Sequence, residues 1–266
     1  VTAERTATFS SAGREPGAEL AAVRARFAGA SAPDVLRYAV ERFGARLTVA
    51  CSLGLEDVVI LDILSKLHGD AGASVAQPLP RVLVLDTGRL PEPTYELLDR
   101  VRDRYRALRV DVYFPEASLV ERLVREKGAF SFRRSVDERK ECCAIRKLAP
   151  LARALAGADA WVTGLRRAQS STRADTALFE HDAANDGRWK INPLCDWSDD
   201  DVWRYVREND VPYNTLHDEG YPSIGCAPCT RAVLPGEDSR SGRWWWESPS
   251  SQRECGLHNN PRRPKR

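Results

Sequence analysis

Residues 47–68 read LTVACSLGLEDVVILDILSKLH, and the change of rhythm inside this stretch decides the fold. LTVAC is a short, continuous apolar run, the kind carried by a strand buried on both faces. CSLG then takes the chain through a glycine loop. Behind it, EDVVILDILSKLH places Val58, Val59, Leu61, Leu64 and Leu67 near helical spacing. Strand, glycine turn and helix in that order make the first half of a βαβ unit.

The same rhythm repeats outward from there. GDAGASVAQPLP (69–80) is a loop by composition, and RVLVLD (81–86) is a second buried-type strand, ending in DTG. PEPTYELLDRVRDRY is an acidic-first helix, RVDVYF a strand, and ASLVERLVREKG a helix closed by Gly128. CCAIRKLAPLARALAG is expected to stay helical despite Pro150, AWVTGL is a further strand, and SDDDVWRYV is a capped helix. Strands alternating with helices predict an α/β, Rossmann-like, doubly wound and mainly parallel sheet. Ligands in such folds sit beyond the carboxyl ends of strands, here CSLGLED, LDTGR and TGLRRAQ. From about Pro212 the pattern breaks into turns, cysteines and tryptophans. The organisation expected is a disordered lead-in (1–18), one α/β nucleotide-binding domain (19–245) and a mobile C-terminal tail (246–266). No internal repeat is evident.

Bulk properties exclude several classes. The chain has 266 residues, 42% hydrophobic and 29% charged, an ordinary globular composition. No apolar stretch approaches the roughly 20 residues of a membrane helix. The first residues lack the basic-then-apolar pattern of a signal peptide, so a cytoplasmic location is expected. Forty basic residues against 38 acidic give a net charge of +2, which argues against a nucleic-acid-coating role. Seven cysteines suit metal or catalytic thiols better than a disulfide framework.

Ser52 and Gly54 lie between a strand and a helix start, where backbone N–H groups and the helix dipole suit an anion. LDTG repeats the theme. Arg166, Arg167 and Arg173 follow a third strand end, and guanidinium forks match phosphate and sulfate oxygens. Cys142–Cys143 and Cys226-Ala-Pro-Cys229 supply four thiolates, enough for zinc or an iron–sulfur cluster. Neighbouring helical side chains diverge by about 100°, which disfavours one small ion and favours the separate irons of a [4Fe-4S] cluster. Lys147 follows Cys143 by one helical turn, near the thiolates or a substrate anion. Cys51 and Cys195 read as packing residues. The tryptophan run 244–246 reads as a packing element, and His68, His181 and His217 as ordinary histidines. Cys255 stands alone on the tail.

In combination, SLGLEDVV, LDTGR, KECCAIRK, TGLRRAQS, INPL with DVWRY, PYNTLHDEGYPSIGCAPCTR, GRWWWE and ECGLH resemble the assimilatory adenylyl-sulfate (APS) reductases of the iron–sulfur type. Their larger family includes the 3′-phosphoadenylyl-sulfate (PAPS) reductases. The resemblance runs from about residue 45 to 258. It implies an adenine nucleotide alpha-hydrolase-like fold and a thioredoxin-dependent reduction of adenylyl sulfate in sulfate assimilation and cysteine biosynthesis. Thioredoxin or a glutaredoxin-like protein would be the reductant, and a homo-oligomer is expected. Cys255 would attack the substrate sulfur, displacing AMP and leaving an S-sulfocysteine. Cys142, Cys143, Cys226 and Cys229 would hold a [4Fe-4S] cluster. Lys147, Arg173, Arg240 and Arg243 would surround the phosphosulfate. His258 would contact substrate, and Ser52, Gly54, Leu85 and Gly164 would lie around the adenosine.

Three other readings compete. One is PAPS, or both nucleotides, as substrate. Another is an ATP-dependent tRNA sulfur-transfer enzyme, a class that shows SGGxDS where Leu53 and Glu56 stand here. The last is a non-enzymatic iron–sulfur or zinc sensor.

Overall fold

The computed structural model describes residues 16–70 and 79–248. Six strands of these residues form one sheet: β1 (Leu47–Cys51), β2 (Arg81–Leu85), β3 (Val110–Tyr113), β4 (Ala160–Val162), β5 (Phe179–Asp182) and β6 (Arg188–Ile191). Their order is β3-β2-β1-β4-β6-β5. Every neighbouring pair is parallel except β5–β6. Val49 at the centre pairs with Val82 on one side and Val162 on the other. The winding reverses between β1 and β4, and a crevice opens there beyond the strands' carboxyl ends. The parallel, doubly wound fold expected from the alternation is therefore the one observed.

Among the described residues eight α-helices surround the sheet: α1 (Pro16–Arg26), α2 (Ala32–Phe43), α3 (Leu55–Asp70), α4 (Glu92–Arg104), α5 (Ala117–Lys127), α6 (Val136–Cys143), α7 (Ala149–Ala154) and α8 (Asp199–Glu208). Along α3, Val58, Val59, Ile60, Leu61, Ile63 and Leu64 are all buried. A helix apolar on all sides must be covered on all sides, and α3 lies against β1, α2 and α8. The buried carboxylate midway along it, Asp62, is well partnered. Tyr105 and Tyr205 hydroxyls donate to it at 3.1 and 2.9 Å, and Lys66 pairs with it at 2.6 Å.

Three features depart from the sequence expectation. The β5–β6 hairpin was not anticipated, because FEHD and RWKI carry too much charge for a period-2 pattern. Its turn is legible only through Asp186 and Gly187, both at positive φ. The segment running through Pro150 is not a uniform α-helix: a π-helical turn, Ala144–Leu148, separates α6 from α7. Such wider turns occur often at functional sites, and this one directly follows the adjacent cysteines. Trp246 and Glu247, assigned to the tail by sequence, are packed into the body. Trp246 meets Phe132 at 5.7 Å, and Glu247 pairs with Arg139 with both side chains nearly inaccessible. Among the described residues no helix is long and apolar enough to cross a membrane.

Candidate active site

The turn from β1 to α3 is built on Leu53, a buried leucine with φ of 62°. A side chain seldom adopts that left-handed conformation, so packing elsewhere must hold it. The turn faces Asp57 in the first turn of α3. Ser52 donates both its backbone N–H and its hydroxyl to one Asp57 carboxylate oxygen, each at 2.6 Å. The Gly54 backbone N–H adds a further bond. Burial nonetheless pushes the Asp57 carboxyl up to about 6, against these donors and with help from neighbouring Glu56. The N–H groups expected to await an anion are thus already engaged by the chain's own carboxylate.

The loop after β4 closes tightly over this turn. A Cβ on Gly164 would lie 2.5 Å from Asp57 Oδ1 and 2.8 Å from Glu56 Cβ, so only glycine fits. Gln169 clamps the loop, donating to Glu56 at 2.8 Å and to the Gly164 carbonyl at 3.1 Å. Arg166 is buried between Glu56 at 2.7 Å and Asp199 at 2.5 Å. Its charge is neutralised locally instead of facing a ligand. Arg167 turns to Asp196 and the Thr176 carbonyl and lies outside the cavity wall. Arg173 lines the cavity and donates to Gln169 at 2.5 Å.

A cavity of about 560 Å³ occupies the β1/β4 crevice. Its wall includes Ser52, Gly54, Leu85, Lys147, Gly164, Arg173, Arg240 and Arg243, all eight of the substrate-binding candidates within the described residues. Leu83, Leu151 and Trp161 make one wall apolar. Trp203, within DVWRY, and His217, read above as an ordinary histidine, also line it, and neither was a site candidate. His217 is half-buried, with Nε2 inaccessible and unbonded among the described residues, and burial lowers its pKa.

A second, smaller cavity adjoins the first. Cys142, Cys143, Cys226 and Cys229 all line it, with Arg89, Phe132, Arg139 and Arg146. Lys147, Arg243 and Trp244 belong to both cavities and form the partition between them. Among the described residues no three His, Cys, Asp or Glu side chains converge to hold a single metal ion. The donor set is nonetheless four soft sulfurs facing one void, in a markedly cationic wall. Arg89 and Arg146 donate to the Ala129 and Thr87 carbonyls, Arg243 to the Ile224 carbonyl and the Ser223 hydroxyl, and Arg146 also bonds the Cys142 thiol. Among the described residues the Nε atoms of Arg146 and Arg243 have no hydrogen bond. Burial, then the charge of Arg89, lowers the Arg146 pKa. Burial raises Cys142 and pushes Cys229 up to about 12. At Cys226 burial also raises the thiol, but Lys147, the Thr87 hydroxyl, Arg243 and Arg146 outweigh it and bring it below the ordinary value. Buried guanidinium groups beside four thiols fit an anionic thiolate-held group such as an iron–sulfur cluster.

Arg243 is held with care. A Cβ on Gly225 would lie 2.2 Å from its guanidinium, so glycine leaves the passage open. The guanidinium rests on the Trp244 ring at 4.8 Å, while Arg139 covers Trp244 at 4.4 Å. Cys51 and Cys195 are buried thiols whose pKa burial raises, as packing residues. Cys255 and His258 lie outside the described residues.

The chain matches the phosphoadenosine phosphosulfate reductase domain over residues 46–232. It is 50% identical over 222 residues to an adenosine 5'-phosphosulfate reductase of Allochromatium vinosum, covering 82% of each chain. It is 46% identical to one of Pseudomonas aeruginosa, covering 90% of this chain and 86% of that one. Among solved structures, a phosphoadenylyl-sulfate (PAPS) reductase from Candida auris, in a phosphate complex, superposes with a TM-score of 0.66 at 28% identity. That match covers 84% of this chain and 100% of the other.

Proposed function

The chain belongs to the phosphoadenosine phosphosulfate reductase family, and from that premise we propose that it reduces adenylyl sulfate to sulfite and AMP with a dithiol protein of the thioredoxin class. The observation that carries the reading is the shared partition. One cavity sized for a nucleotide and one lined by four cysteines meet at Lys147, Arg243 and Trp244.

The charge distribution of the larger cavity orients the substrate. Lys147 and Arg243 stand at its cysteine side, with Arg240 also in its wall, and charge-assisted hydrogen bonds from these cations favour the phosphosulfate. The apolar wall of Leu83, Leu85 and Trp161 suits the purine. Cys255, as thiolate, forms a bond to the sulfonate sulfur while the sulfur–oxygen bond to AMP breaks. The cations that bind the phosphosulfate also stabilise the leaving AMP oxygen. A thioredoxin thiolate then attacks the Cys255 sulfur and expels sulfite, and the second thioredoxin thiol closes the disulfide. Sulfur gains two electrons and the dithiol loses two. Cys142, Cys143, Cys226 and Cys229 would hold a [4Fe-4S] cluster. Its negative charge, when bound, would balance the buried guanidinium groups and so keep Lys147 and Arg243 placed for the substrate.

The test is mass spectrometry on anaerobically purified protein mixed with adenylyl sulfate and no reductant. An SO₃ adduct on Cys255, discharged as sulfite by reduced thioredoxin, is the expected result. Cys255→Ser should abolish sulfite release while retaining nucleotide binding. An adduct on another residue would overturn the mechanism, and faster turnover of PAPS would overturn the substrate.

A further inference from the structure

The most acidic part of the larger cavity lies where a phosphate-binding turn would be expected. Asp57 accepts from Ser52 N–H, Ser52 Oγ–H and Gly54 N–H, the donors that such a turn offers an anion. Its other oxygen lies against the Gly164 backbone, too close to admit a side chain there. The carboxylate is therefore confined on both sides and has no path out of the turn. Glu56 and Asp199 stand beside it, and Arg166 is the cation that pairs with both. Burial and neighbouring Glu56 oppose its ionisation. The three acids of the cavity wall, Glu56, Asp57 and Asp199, stand together at this end with Arg166 and, through Gln169, Arg173. Lys147 and Arg243 stand instead at the partition toward the second cavity.

We propose that Asp57 is a specificity-determining residue: its carboxylate occupies the anion position of the β1–α3 turn and so excludes nucleotides with a polyphosphate tail. The inference rests on the nucleotide reading of the cavity and deepens it. A nucleotide with one anionic group can place that group beside Lys147 and Arg243 and its uncharged nucleoside elsewhere. A triphosphate tail extending into the turn meets a fixed carboxylate in place of free N–H donors. Like charges juxtaposed without screening are a standard means of rejecting a competitor. Nucleoside triphosphates share the adenosine moiety, so shape alone discriminates poorly, and repulsion supplies what shape cannot.

The test compares ATP with AMP as probes. Binding is followed by quenching of intrinsic tryptophan fluorescence, since Trp161, Trp203 and Trp244 line the cavity. Wild-type protein should bind AMP and discriminate against ATP. Asp57→Asn keeps the side-chain size and one acceptor oxygen but removes the charge. It should raise the ATP-to-AMP affinity ratio by roughly tenfold or more, because like-charge repulsion of this kind costs several kcal/mol. Asp57→Ser, a smaller neutral replacement, should move the ratio in the same direction and serves if the asparagine variant misfolds. An unchanged ratio in folded neutral variants overturns the inference while leaving the nucleotide site intact. Failure of wild-type protein to bind AMP would instead defeat the underlying reading of the cavity.

Discussion

Neutralising Glu247 should destabilise the protein far more than its place near the chain's end suggests. Its carboxylate grips Arg139 with both oxygens, through Nε and, at 3.1 Å, through a terminal nitrogen. The two side chains are 4% and 1% exposed. Removing one partner of a buried pair leaves the other charge uncompensated, which costs about 3–5 kcal/mol. Arg139 also covers Trp244 at 4.4 Å, a desolvated cation–π contact of about 2 kcal/mol that survives only if the guanidinium stays in place. Glu247→Leu should therefore cost about 3 kcal/mol or more and lower the Tm by roughly 6–12 °C for a chain of this size. The double variant Arg139→Met/Glu247→Leu removes both charges and should recover much of that loss, as buried pairs replaced by apolar groups are often near neutral. Thermal melts followed by circular dichroism, on Glu247→Leu, Arg139→Met, the double variant and the parent, complete the cycle. A Glu247→Leu loss below about 1 kcal/mol, or strictly additive single losses, would refute the claim that the pair acts as a buried unit.

Further expectations follow from Asp57 and the two close-packed glycines. The Asp57 carboxyl rises from an ordinary 3.8 to about 6 on folding, so folding is penalised when it ionises. The penalty, about 3 kcal/mol by linkage, is present above pH 6 and is relieved as pH falls through 6 toward 4. Urea midpoints of wild type relative to Asp57→Asn should rise across that window, and a flat difference would contradict the raised pKa. Gly225→Ala places a methyl 2.2 Å from the Arg243 guanidinium. Displacing that cation should raise KM for adenylyl sulfate by roughly tenfold or more, given how steeply such sites depend on placement; steady-state kinetics with an unaltered KM would count against Arg243 at the substrate. Gly164→Ala forces apart Asp57 and Glu56, and should cost about 1–3 kcal/mol as overpacking does, read as a lowered Tm; an unchanged Tm would show that the loop yields freely.

Much of the architecture was legible because its signal is local. The apolar run 47–51, the glycine turn and the helix behind it gave the central strand, and the repetition of that rhythm gave the parallel sheet. The β5–β6 hairpin escaped because strand pairing, not periodicity, makes FEHD and RWKI strands. The eight cavity candidates were reached through motif resemblance, and strand-end loops put them in one crevice. The role of Asp57 was invisible for a different reason. In sequence it is one of two adjacent acids at a helix start, and only the folded turn shows its carboxylate taking the donors meant for an anion. Arg166 and Arg167 misled in the opposite way: their number promised an anion site, but Glu56, Asp199 and Asp196 absorb their charge. The buried Arg139–Glu247 pair joins residues 108 positions apart, a separation at which no sequence pattern operates.

The wall common to the two cavities has a consequence for how such a protein can change. Lys147, Arg243 and Trp244 face four cysteine thiols on one side and the larger cavity on the other, so neither chamber can be remodelled alone. On the function proposed above, a lineage or an engineer discarding the four thiols would leave Arg89 and Arg146 beside a void and loosen the groups that grip the nucleotide. Substitution would have to sweep through the guanidinium and thiol sets together, as a single coordinated step.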